Sequence, residues 1–123
     1  MSTWLNRIVL PMPYYCLCLN DKQFAKALRH LSIPKADWPA FVTPGRDACA
    51  HFFTQGSATS CIVCLNEGQH SAEQIYALLV HEAVHIWQEM ELILGESGKE
   101  VEAYSIQGIA QQLFLAYKDL KDK

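Results

Sequence analysis

Apolar residues in this chain fall into two kinds of run. Residues 14–19 (YYCLCL) and 60–65 (SCIVCL) are short, nearly continuous apolar stretches, the pattern of buried strands. Residues 48–54 (ACAHFFT) form a third strand candidate. The polar turn Gln55-Gly56-Ser57 joins it to residues 60–65 as a hairpin. Elsewhere the apolar positions recur at helical spacing. Asn20 or Asp21 can cap a helix of about ten residues with Phe24, Leu28 and Leu31 on its inner face. Pro34, Pro39 and Pro44-Gly45 punctuate a loop that carries Trp38 and Phe41. Ser71 opens a second helix, with Gln74 three residues on as a capping box. Ile75, Leu78, Leu79, Val84 and Trp87 carry that helix to Met90 or Leu94, and Gly95-Glu96-Ser97-Gly98 breaks it. A last helix follows over about residues 97–117, its stripe made of Ile106, Ile109, Leu113 and Tyr117. The predicted order is β-α-β-β-α-α. It implies an α+β fold in which a small three-stranded sheet carries its three helices on one face.

Length and charge narrow the picture. The chain has 123 residues, enough for a single domain over residues 1–123 and for one compact core. Its net charge of −3 and its lack of a basic stripe exclude a nucleic-acid binder that works by phosphate neutralisation. Residues 1–10 lack the long apolar segment and small-residue cleavage site of a secretion signal. No apolar run approaches the ~20 residues that span a bilayer, so no membrane partner is expected. The five cysteines are odd in number and come without a secretion signal, so reduced thiols and a cytoplasmic location are expected.

One constellation carries chemistry. In LLVHEAVHIW, His81 and His85 are spaced i, i+4 in a helical stretch, which stacks both imidazoles on one face about 6 Å apart. A single tetrahedral zinc can take both. Glu82 follows the first histidine and is placed to act as general base toward a water that zinc activates. A zinc site of this kind requires a third protein donor. No histidine follows His85, and Gln88 and Glu91 occupy neighbouring positions, so the candidates are Glu100 and Glu102 on the last helix.

HEAVH followed by EVEAYSIQ resembles the gluzincin group of zinc metallopeptidases. The likeness covers residues 81–107. It implies a zincin-like minimal metallopeptidase core, zinc as cofactor, and a peptide or protein substrate. In the integral-membrane gluzincins the pattern on the later helix is Glu-x-x-Ala-Asp with the first Glu as ligand. That resemblance makes Glu100 the third ligand and Ala103 a small packing residue, and it puts Tyr104 where an Asp would orient a ligand histidine. Geometry favours the other acid, because Glu102 reaches about 3 Å further back along the helix toward the histidines. Glu102 is therefore an alternative ligand or a partner of the ligands. The wider pattern (YCLCL, CIVCL, HEAVHIWQ, EAYSIQ) resembles small proteins encoded in phages and prophages, which implies a virion-associated location as an alternative.

Other residues qualify for lesser roles. Gln88 is in register with the histidines and can line the cleft or bond a ligand. His51, Tyr76 and Tyr104 are candidates to steady an oxyanion. Gln107, Gln111 and Gln112 read as surface or interface residues. Strand residues 61–65 could pair along their edge with an extended peptide. Cys16-x-Cys18 and Cys61-x-x-Cys64 read as packing residues, since a strand points Cys61 and Cys64 to opposite faces. A cysteine nucleophile with His51 or His70 lacks any local signature. Two functions follow: a zinc metallopeptidase that hydrolyses a peptide or related amide bond, or a non-catalytic, zinc-stapled protein-binding module, as in phage assembly.

Overall fold

The computed structural model describes residues 4–5, 14–94 and 98–122. Gly95, Glu96 and Ser97, most of the expected helix break, lie outside the described residues, as do most of residues 1–10. Four strands and three long helices follow in order: β1 (Trp4–Leu5), β2 (Tyr14–Cys18), α1 (Asp21–His30), β3 (Ala48–Gln55), β4 (Ala58–Leu65), α2 (Ala72–Leu94) and α3 (Lys99–Lys121). The expected elements are present. The two-residue β1 is an addition, too short to leave a periodic signal.

The sheet runs β1-β2-β4-β3. β2 lies parallel to β4, with Tyr15 opposite Cys61 and Leu17 opposite Val63. β3 returns antiparallel to β4 as the predicted hairpin. A parallel pair cannot be joined by a tight turn. Here α1 and the hairpin's first strand make the crossover between β2 and β4.

Alternation along the strands builds two cores. Tyr15, Leu17, Cys61, Val63 and Leu65 turn to one face and meet Ile75, Leu79, Ala83, Ile86, Trp87 and Met90 of α2 and Ile109 and Leu113 of α3. Cys16, Cys18, Ile62 and Cys64 turn to the other face and meet Phe24, Ala27 and Leu28 of α1. The helices therefore cover both faces rather than one. The reason is in the strands: YYCLC and SCIVCL have no polar alternation, so both faces need cover. β4 is an inner strand, so it has no free edge for a peptide; the exposed edge belongs to β3.

Local contacts fix the helix ends as their sequences imply. Asn20 caps α1 by accepting from Gln23 N at 2.9 Å. Ser71 Oγ accepts from Gln74 N at 3.2 Å, and Gln74 Oε1 accepts from Ser71 N at 2.8 Å, closing the capping box of α2. Two long-range bonds hold α3. Tyr15 donates to Gln112 at 2.5 Å, and Tyr117 donates to Glu67 at 2.6 Å. Among the described residues, no helix is long and apolar enough to cross a membrane.

Candidate metal centre and its cleft

α2 buries one stripe on the sheet, and that register decides where the motif points. Ala83, Ile86 and Trp87 go into the core. His81 and His85 then sit at the border facing β3, and Glu82 falls between helix and sheet with only 3% of its surface exposed. The two imidazoles converge. Their ring centroids are 4.8 Å apart at an interplanar angle of 77°. Nε2 of His85 lies 3.1 Å from Nε2 of His81. Two nitrogen donors bound to one tetrahedral zinc at about 2.0–2.1 Å lie roughly 3.3 Å from each other. The spacing of the two nitrogens matches that of a donor pair on one zinc, and in the metal-free structure they bond each other.

Gln88 sets the tautomer of His85. Its Oε1 lies 3.0 Å from His85 Nδ1, and an amide oxygen can only accept. Nδ1 then carries the proton, and Nε2 of His85 accepts from Nε2–H of His81 at 3.1 Å. The expectation for Gln88 is that it lines the cleft or bonds a ligand; it bonds His85 and lines neither cavity.

The structure does not bring Glu100 or Glu102 to the histidines. Among the described residues, no group of three His, Cys, Asp or Glu side chains could hold a metal ion. His85 lies nine residues before the end of α2, while Glu100 is the second residue of α3. In a helical hairpin the two are offset by roughly 12 Å along the axis. α3 also flanks α2 over β2, whereas the histidines face β3. Glu100 is exposed and Glu102 half-buried at the start of α3, where carboxylates suit the helix dipole. Tyr104 is 68% exposed, outside the cleft. His51 turns to the opposite face of the sheet, stacked on Phe24 at 5.2 Å, with Nε2 2.9 Å from Phe41 O. Tyr76 packs on Phe114 between α2 and α3. Tyr76 and Tyr104 line neither cavity; His51 borders the smaller one, with its ring nitrogen engaged by Phe41 O.

Two cavities flank Glu82. The larger, about 460 Å³, is walled by Ala48, Ala77 and Leu78 and carries Arg46, Asp47, His70, Gln74 and His81. The smaller, about 250 Å³, lies along Ala50 and Phe52 of β3 and reaches Thr43 and His85. Arg46 and Glu82 line both. Burial pushes the Glu82 carboxyl above the usual range, against the opposing pull of His81, His85 and Arg46. Asp47 is paired with His70, Nε2 to Oδ2 at 3.1 Å.

Sequence reasoning does not single out Arg46 or Asp47, and it considers His70 only as a cysteine's partner. The available signal is Thr43-Pro44-Gly45-Arg46. Pro44 and Gly45, the latter at φ +85°, make a β-turn closed by Arg46 N donating to Thr43 O at 2.9 Å. Thr43 N donates to Cys49 Sγ at 3.2 Å, which anchors the turn to β3. All five cysteines are free thiols. Burial pushes the Cys61 and Cys64 thiols up, and a hydrogen bond with Cys18 raises Cys16, so none of these three is an activated nucleophile.

Comparison with protein-family models, with curated proteins and with solved structures finds no match to this chain.

Proposed function

We propose that this chain is a small zincin-like hydrolase that cuts a peptide or related amide bond with the help of zinc. One observation carries the reading: two imidazole nitrogens 3.1 Å apart, one with its tautomer set by Gln88, beside a buried carboxylate. These donors fit zinc in chemistry and spacing. His81 and His85 would hold the ion; among the described residues no third His, Cys, Asp or Glu joins them. When bound, zinc supplies a Lewis acid that polarises a carbonyl and makes water more acidic. Glu82 serves as the base. One carboxylate oxygen takes a proton from the attacking water and passes it to the departing nitrogen. Burial of Glu82 keeps bulk water from competing for that proton.

An extended peptide can lie along the free edge of β3, which walls the smaller cavity, and pair with its backbone. A zinc staple fits the arrangement less well. A staple gains stability by tying separate elements together, and both histidines belong to one turn of α2.

Two measurements test the proposal. His81→Ala or His85→Ala should abolish stoichiometric zinc binding in a metal titration of the purified chain. Glu82→Gln should keep zinc and lose about 10²–10⁴-fold in hydrolysis of a peptide mixture. Undiminished hydrolysis by the Gln variant, or undiminished zinc affinity without either histidine, overturns the reading.

A further inference from the structure

The cleft contains a cation that the chemistry above does not use. Arg46 lines both cavities beside Glu82, yet among the described residues its guanidinium makes no hydrogen bond or ion pair. The nearest candidate in sequence, Asp47, is held by His70 at 3.1 Å. Glu82 is buried, and it feels Arg46 as a charge without bonding it. The turn that presents Arg46 is closed by the Arg46–Thr43 backbone bond and tied to β3 at its Thr43 end by the Thr43–Cys49 contact. Arg46 is exposed at the rim of the larger cavity, over walls made by Ala48, Ala77 and Leu78, where its guanidinium can take a planar anion. The larger cavity, about 460 Å³, falls within the range that admits a small ligand.

We propose that Arg46 selects ligands carrying a carboxylate, and that it seats this group in the cavity next to His81 and Glu82. The substrate class rests on the peptidase reading: the carboxylate is either a peptide's C-terminus or an acidic side chain. Arg46 is a specificity-determining residue, bonding the anion through paired guanidinium N–H donors.

The test uses the full chain without metal, so that no bound ion can attract the anion in place of Arg46. Binding of three probes is followed by amide chemical shifts: N-acetyl-Leu-Leu with a free C-terminus, its C-terminal amide, and N-acetyl-Glu-Leu-amide. The expected result is that one or both acids bind roughly tenfold tighter than the neutral amide, with shifts at residues 46–48 and 77–82. Which acid wins identifies the source of the carboxylate. Arg46→Gln should erase the preference and Arg46→Lys should keep part of it, with circular dichroism reporting that both variants are folded. Equal affinity for acids and amide, no binding of either acid up to its solubility limit, or a preference that survives Arg46→Gln overturns the proposal. Zinc affinity measured on the same Arg46→Gln protein reports separately on the metal site. Loss of zinc binding by the wild-type chain defeats the peptidase reading without touching this preference.

Discussion

Gln88 shows how a single side chain can hold one histidine of a pair in one tautomer. It is exposed and adds nothing to the core, but its amide oxygen accepts a hydrogen bond from Nδ1–H of His85 at 3.0 Å. Replacing it with leucine leaves both imidazoles in place and frees the ring to turn and change tautomer. Gln88→Leu should therefore weaken zinc binding about tenfold or more in a metal competition titration while the melting temperature of the metal-free chain stays unchanged. Gln88→Glu should restore the affinity, because a carboxylate accepts the same proton. An unchanged affinity in the leucine variant would remove the tautomer argument. Trp87 Nε1 and Ser105 Oγ are buried without a hydrogen-bond partner among the described residues, and we have no physical account of this.

At the scale of elements, the site is a meeting of α2 with the turn that leads into β3. Gly45 has no neighbour within 4 Å of where a Cβ would sit, so its role is conformational: φ is +85°. Gly45→Ala should cost about 1 kcal/mol of unfolding free energy in urea, since a side chain disfavours that backbone region without clashing. It should also loosen the hold on Arg46; a stability equal to wild type would show that the turn relaxes freely. The helices, the strands and both helix caps are legible in the sequence because each is a local pattern. The histidine pair is legible for the same reason, being one helical turn long. The placement of Glu100 and Glu102 is not, because whether that motif meets the histidines depends on where the helix break falls along the hairpin. Arg46, Asp47 and His70 escape because they come together only when the sheet folds. Asp47 O accepts from Asn66 N at 2.7 Å to close the hairpin, and His70 follows in the next loop. The placement of helices on both faces was written in the unbroken apolar strands. Reading it required asking what covers each face.

For the whole molecule, the far end of α3 is fastened to the loop before α2. Tyr117 donates to Glu67 at 2.6 Å, and Lys121 Nζ lies 3.1 Å from the same carboxylate oxygen. Burial alone would raise the Glu67 carboxyl, but the bonds from Tyr117 and Lys121 leave it below the usual range. A lowered carboxyl contributes stability above its unfolded pKa and loses it as pH falls through the folded one. The Tyr117 phenol, pushed up to about 12 by that bond, contributes below its ordinary pKa and loses its share as pH rises through about 12. Tyr117→Phe should thus cost about 1 kcal/mol near neutral pH, and the gap to wild type should shrink in acid and again in strong base. A constant gap across that range would mean that only packing was lost. The histidine pair has a different dependence on the rest of the molecule. Its spacing is set by backbone hydrogen bonds within one turn, so any state of the chain that is helical over residues 81–85 already presents both rings. A captured ion would hold that turn together before the sheet has formed. Partly folded chains would compete with the native state for it, and added metal would raise the melting temperature by less than its native affinity implies.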